Sequence, residues 1–147
     1  MPKKVFLVLE RGEASEREFE LQPNGYRAVG RSGDAEMTHQ FTVDGDQALD
    51  AEDLARAEAH LQNRHREPRA GPGPLRINNF RRGSDILLED VKISRTHALF
   101  FLDEDGPSVV DMFSTNGTLV NGRRVDDADL HDGDLIHIGH ARFKVRF

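Results

Sequence analysis

The chain has 147 residues, with 20 Lys and Arg against 26 Asp and Glu, a formal charge of −6 and no cysteine. That length suits one domain. The acid excess argues against a non-specific nucleic-acid or membrane-surface binder, and the absence of cysteine excludes thiolate chemistry and disulfide staples. No apolar run is long enough to cross a bilayer, and Val5-Phe6-Leu7-Val8-Leu9 after Lys3-Lys4 is too short for a secretory signal core. A cytoplasmic location is expected.

Taken in order, Lys4–Glu10 and Arg17–Gln22 read as strands. In the second, Phe19 and Leu21 alternate with Glu18, Glu20 and Gln22, which gives one buried and one wet face. Pro23-Asn24-Gly25 signals a turn, Tyr26–Gly30 resumes a strand, and Gly30-Arg31-Ser32-Gly33-Asp34 opens into a polar loop. The β pattern then stops. One helix is predicted, from Asp50 to about Asn63, with Asp50 as its cap and acidic residues in its first turn. Leu54, Ala57 and Leu61 form a narrow apolar stripe, so this helix is expected to lie on the surface of another element. Pro68, Gly71, Pro72, Gly73 and Pro74 make a return that is neither helix nor central strand. Residues 34–80 are too few and too polar to bury a core alone, so they read as an insertion within a single domain spanning 1–147.

Further strands are predicted at Leu75–Asn78, Asp85–Leu88, Ala98–Leu102, Ser108–Met112, Thr118–Val120, Leu135–Ile138 and Arg142–Phe147. The last alternates, placing Phe143, Val145 and Phe147 inward and Arg142, Lys144 and Arg146 outward. Asn116-Gly117 and Asn121-Gly122 are tight-turn dipeptides. Many short strands separated by turn signals predict an all-β chain, a two-sheet β-sandwich with a helical insertion between its third and fourth strands.

Two polar clusters stand between the apolar runs: Ser94-Arg95-Thr96-His97 and Ser114-Thr115-Asn116-Gly117-Thr118. Hydroxyl, amide and guanidinium donors gathered in loops at strand ends suit the holding of an anion. To these are added Gly30-Arg31, Asp85-Ile86, Val120-Asn121-Gly122 and the run Leu130 to Gly139. In this order the series resembles the forkhead-associated (FHA) domain, over nearly the whole chain outside the insertion. The resemblance implies an FHA/SMAD-like sandwich of about eleven strands. Its loops at one end would bind a threonine-phosphorylated protein, as a reader in Ser/Thr kinase signalling, without cofactor or metal.

Such a ligand brings about −1.5 to −2 charges and three acceptor oxygens. It needs a guanidinium for charge and hydroxyl or amide donors for geometry. The resemblance implies that Arg31 and Ser94 contact the phosphate. Thr115 would donate a hydroxyl or backbone N–H to it, Arg95 would contact phosphate or peptide backbone, and Asn116 would bond the peptide main chain. Gly30, His97, Gly117, Asn121 and Gly122 carry over as structural positions, with His97 bracing the binding loop and Asn121-Gly122 turning a hairpin. One departure matters. In the family the Gly-Arg pair lies a short loop before the Asp-Ile strand, whereas here residues 32–84 intervene. Arg82, or Arg81 beside it, is therefore a reserve phosphate contact, and the insertion is a candidate to tune or cover the pocket.

Other functions fit these residues less well. A phosphate-independent interaction or self-assembly module would use the same sandwich. Ser94, His97 and Asp111 are hydrolase residue types, but Ser94 lacks the Gly-x-Ser-x-Gly elbow, so no enzyme is expected. His131, Asp132, Asp134, His137 and His140 suggest a metal. However, His137 and His140, three apart in a predicted strand, would face opposite ways, and the histidines, His60 and His65 included, read as solvated. The basic run Arg64–Arg69 is broken by Glu67 and lacks interleaved aromatics, which argues against nucleic acid.

Overall fold

The computed structural model describes residues 4–12, 17–31, 55–60, 80–83, 85–90, 92–93, 96–103, 106–112 and 114–147, with the backbone alone at Arg82. The predicted strand 75–78, most of the predicted helix, and Ser94 and Arg95 lie outside these residues.

Two sheets form from alternating and continuous apolar runs. The first comprises β1 (Val5–Arg11), β2 (Glu18–Leu21), β8 (Thr118–Val120), β9 (Arg123–Val125), β11 (Leu135–Ile138) and β12 (Ala141–Arg146), in the order β2-β1-β12-β11-β8-β9. The second comprises β3 (Gly25–Arg31), β4 (Arg81–Arg82), β5 (Ile86–Leu88), β6 (Ala98–Asp103), β7 (Gly106–Asp111) and β10 (Asp127–Asp129), in the order β10-β7-β6-β3-β4, with β5 also pairing β3.

Both fragments β4 and β5 run parallel to β3. Gly25 pairs with Arg81 and Tyr26 with Arg82; further along, Val29 pairs with Ile86 and Arg31 with Leu88. From Tyr26 to Val29 is three residues while from Arg82 to Ile86 is four, so this edge carries one extra residue, as in a β-bulge. Counted as one broken strand, β4 and β5 leave eleven strands among the described residues.

The alternating strands bury one face each. Val5, Leu7 and Leu9 of β1, Phe19 and Leu21 of β2, and Phe143 and Val145 of β12 enter the core between the sheets. The Phe143 ring meets Phe19 and Phe100 edge-on at 6.2 Å each. Strand β6 differs, because Ala98-Leu99-Phe100-Phe101-Leu102 is buried throughout. A continuous apolar run marks a strand covered on both faces, and the second cover comes from the insertion. Residues 55–60 are helical (α1), and Ala57 packs with Tyr26, Ala28, Phe80, Leu99, Phe101, Val110 and Met112 on the outer side of the second sheet. Phe101 stacks on Tyr26 at 5.2 Å and meets Phe80 edge-on at 5.4 Å.

Several expectations are corrected. His60 is not solvated: it is 3% exposed, with Nδ1 2.7 Å from Asp127 Oδ2 and Nε2 3.0 Å from Ser108 Oγ. His140 lies in the β11–β12 turn rather than in a strand, bonded to Asp90. Phe147 does not point inward. The ladder ends at Arg146, the Phe147 N–H donates to Asp132 Oδ1 at 2.9 Å, and its side chain is 38% exposed. Strands β4, β9 and β10 were not predicted, since Arg81-Arg82, Arg123-Arg124-Val125 and Asp127-Ala128-Asp129 lack apolar alternation. All three lie on sheet edges, where charge is tolerated and blunts edge-to-edge pairing.

Removing the Phe143 ring should cost about 3–5 kcal/mol, as for other buried phenylalanines. Phe147→Ala should change stability by no more than about 0.5 kcal/mol. Urea unfolding of the two variants tests both; equal losses would contradict the placement of Phe147.

Candidate functional site

The segments that carry the polar motifs meet at one end of the sandwich, and three groups, two buried and one half-buried, tie them together. The first is Asp111, the last residue of β7, 5% exposed. Its Oδ1 accepts from the Ser114 hydroxyl and, at 2.8 Å, from Thr118 Oγ1, while Oδ2 accepts from the Ser114 N–H at 3.1 Å. Ser114 Oγ in turn accepts from the Gly117 N–H at 3.0 Å. An aspartate accepting from the backbone a few residues on is the chemistry of a tight polar turn. Here it shapes the connection that crosses from β7 in one sheet to β8 in the other. Thr115 and Asn116 are exposed on that turn. Gly117, at φ +85°, occupies a conformation that side chains disfavour, and a Cβ there would come within 2.6 Å of Arg124 Nε.

The second group is His97, fully buried. Its N–H donates to Val29 O at 2.8 Å, its carbonyl accepts from the Met112 N–H at 2.8 Å, and its ring Nε2 lies 2.8 Å from Gly117 O. Bonding a carbonyl makes Nε2 the donor, hence the protonated nitrogen of the neutral ring. His97 thus joins β3, the start of β6 and the 114–117 turn.

The third is Asp90. Its carboxylate accepts from the His140 N–H at 2.6 Å and the Lys92 N–H at 2.9 Å, and lies 3.1 Å from His140 Nδ1. Gly139 fits this contact because a Cβ there would sit 2.8 Å from Asp90 Oδ2 and 2.7 Å from Ile93 Cγ1. Asn116 closes the circuit, with Nδ2 donating to Lys92 O at 2.8 Å.

The predicted residues fall as follows. Arg31 ends β3, half-buried, and pairs with Leu88; Gly30 pairs with Leu87. The long insertion therefore does not separate Arg31 from the Asp85-Ile86 strand. Arg82 pairs with Tyr26, five residues back along β3, or roughly 17 Å at strand rise. Asn121 (φ 53°) and Gly122 (φ 84°) turn the two-residue β8–β9 hairpin between Val120 and Arg123, at the other end of β8 from the 114–117 turn. Asn121 also accepts from the Leu135 N–H and donates to Asp134 Oδ1, each at 3.0 Å. A cleft lined by Glu20, Gln22, Tyr26, Arg27, Arg81 and Gly83 lies at the start of β3, away from these loops.

The sequence offers Asp111 only as a triad residue type, presents His60 as solvated and gives Arg56 no role. Arg56 Nη1 donates to Asp111 O at 3.0 Å and lies 3.8 Å from Asp111 Oδ2. The signal that could have found them was the doubly apolar β6, which demands an outer cover and makes the predicted helix its candidate. Asp127, His60 and Ser108 align as carboxylate, imidazole and hydroxyl, the order of a hydrolase triad. Ser108 is fully buried, however, and the helix that covers it is the one carrying His60. Lifting that cover would remove the base, so the array is a clasp.

Two pKa directions follow. For Asp90, burial works to raise the carboxyl, but the His140 and Lys92 N–H bonds and the His140 ring outweigh it and hold it below the ordinary value. For His97, burial lowers the ring, opposed by the Gly117 carbonyl and the charges of Asp111 and Asp90, and the net direction is down. A histidine kept neutral in the fold stabilises it fully only above about pH 6.5, where the unfolded ring is also neutral. As pH falls below that, the unfolded ring binds its proton first and stability declines. The wild type should therefore unfold at lower urea at pH 5 than at pH 7, and His97→Gln should show a shallower decline over that interval. An unchanged slope would count against a neutral buried His97.

Residues 76–139 match the family model of the FHA domain. Over 59 residues the chain is 51% identical to the glycogen accumulation regulator GarA of Mycobacterium tuberculosis, a match covering 40% of this chain and 36% of GarA. Over 83 residues it is 36% identical to the FHA domain-containing protein FhaA of the same organism, covering 50% of this chain and 16% of FhaA. The chain thus spans well under half the length of either relative. It also superposes on a structure from work on phosphothreonine-dependent FHA domain interactions, with a TM-score of 0.56 and 26% identity, covering 99% of this chain and 97% of that one. On the FhaA FHA domain complexed with the intracellular domain of Rv3910 the TM-score is 0.54 and the identity 27%, covering 97% and 99%. The turns built on His97 and Asp111 lie inside the family match, and the structural match extends over β1–β3 as well: residues 76–139 match the FHA domain, and the chain as a whole has the fold of FHA domains.

Proposed function

We propose that this chain is a phosphothreonine-peptide reader: it binds a threonine-phosphorylated protein segment in a Ser/Thr kinase pathway and performs no chemistry of its own. Cytoplasm is the compartment this implies; among the described residues no helix is long and apolar enough to cross a membrane. The observation that carries the reading is the Asp111-built turn, which exposes Thr115 and Asn116 and bonds Asn116 to the Lys92 carbonyl, within residues that match the FHA domain. The solved FHA relative whose interactions are phosphothreonine-dependent supports the choice of ligand.

In this reading Arg31 supplies the charge. Its position at the end of β3, paired with Leu88, favours it over Arg82, whose backbone pairs with Tyr26 at the start of that strand. Ser94 and Arg95 are assigned to the phosphate by motif, with Thr115 adding a donor. Asn116, whose amide N–H is engaged with Lys92 O, offers its side-chain carbonyl to a peptide N–H. Each charge-assisted hydrogen bond contributes about 1.5–3 kcal/mol, so loss of one phosphate contact is a loss of tenfold or more.

Fluorescence anisotropy with a degenerate phosphothreonine peptide pool tests this, against phosphoserine and unphosphorylated pools. Binding should require the phosphate. It should favour phosphothreonine by about fourfold or more if the methyl is buried, from about 0.8 kcal/mol per methyl group. Ser94→Ala and Arg31→Ala should abolish binding, and Arg82→Ala should leave it intact. Retention in Arg31→Ala with loss in Arg82→Ala would reverse the assignment. Indifference to phosphate would replace the reader with a phosphate-independent interaction module.

A further inference from the structure

The insertion helix does more than cover a sheet. The guanidinium of Arg56 donates to the main-chain carbonyl of Asp111 at 3.0 Å, and lies 3.8 Å from Asp111 Oδ2 and 3.8 Å from Asp126 Oδ1. Asp111 is where the chain leaves β7, and its carboxylate is the acceptor from which the 114–118 turn hangs. Its N–H is also held, donating to Asp126 O at 2.8 Å. Arg56 therefore grips both the backbone and the side chain of the residue on which the turn pivots. It adds positive charge beside a buried carboxylate that otherwise meets only neutral donors in these bonds.

Ala57 and His60 of the same helix have a different task. Ala57 fills the outer core, and His60 clasps Ser108 and Asp127, the latter on β10. Those contacts dock the helix without touching the turn. Among the described residues of the helix, Arg56 bonds the residue from which the 114–118 turn hangs.

We infer that Arg56 is a positioning residue: through Asp111, the insertion helix holds the 114–118 turn in its binding shape and so sets the affinity for the phosphopeptide without contacting it. The physical basis is preorganisation. A turn held before the ligand arrives does not lose its freedom on binding, and a turn released from Arg56 does. This inference rests on the proposed phosphopeptide reading, and the experiment separates the two.

The full 147-residue chain is compared with Arg56→Gln, Arg56→Lys and His60→Gln. Phosphopeptide affinity is read by anisotropy and the exchange of individual amides by NMR. Arg56→Gln should weaken binding by roughly 3- to 10-fold, the scale of losing one member of a shared hydrogen-bond network. It should speed exchange at the Ser114 and Gly117 amides, which are bonded to Asp111 and Ser114, while leaving β1 and β12 unchanged. Arg56→Lys should recover part of both effects. His60→Gln should lower unfolding stability yet keep affinity within about twofold, the spread expected of a site not coupled to the turn. Wild-type affinity in Arg56→Gln, or equal affinity losses in Arg56→Gln and His60→Gln, would overturn the inference. If the wild type shows no phosphate-dependent binding, the functional reading fails instead. Exchange at Ser114 and Gly117 then still decides whether Arg56 holds the turn.

Discussion

A carboxylate buried at the end of a strand is the constraint around which this domain's loops are arranged. An unpaired charge removed from water costs several kcal/mol, so the chain around Asp111 must supply donors. It does so with the Ser114 hydroxyl and N–H and the Thr118 hydroxyl, with Arg56 close by. Satisfying that one group bends the chain from β7 into β8 and leaves Thr115 and Asn116 on the outside of the bend. His97 then fixes the bend against β3 through Gly117, and Asp90 fixes the preceding segment against the β11–β12 turn. The candidate site is thus a by-product of pairing buried polar groups, with its exposed residues positioned by buried ones.

The insertion belongs to this economy. Strand β6 is apolar on both faces, and without a cover Leu99 and Phe101 would be left in water beside Val110 and Met112. Ala57 and Phe80 supply part of that cover, and Arg56 and His60 turn it into a polar attachment. A helix with so narrow an apolar stripe would be marginal alone. It is helical here because a sheet face completes its burial. The His60 array shows how little a residue constellation means without access: carboxylate, imidazole and hydroxyl in line are a latch when the hydroxyl is sealed.

The length of the insertion costs the binding end little. Closing a longer loop is only weakly more expensive than closing a short one, and parallel pairing with β3 re-establishes the register on the far side. Gly30 and Arg31 face Leu87 and Leu88 as they would if the strands were joined directly. The family's separated motif halves are restored by hydrogen bonds between strands.

What the sequence determined by itself was the set of alternating and continuous apolar runs, and with them the sandwich, most of its strands and the two polar loops. Those signals are local: period-two burial and turn dipeptides act over a few residues, and the FHA motifs are short and ordered. The edge strands β4, β9 and β10 were hidden because an exposed edge leaves no apolar period. Phe147 was misplaced because alternation continues in sequence past the point where the ladder ends. His60 read as solvated because its partners Ser108 and Asp127 lie far along the chain. Asp111, Arg56 and the pairing of Arg31 with Leu88 were decided only by the tertiary structure. Each depends on a buried group meeting a partner brought to it by sheet stacking, and no local pattern encodes which partner that is.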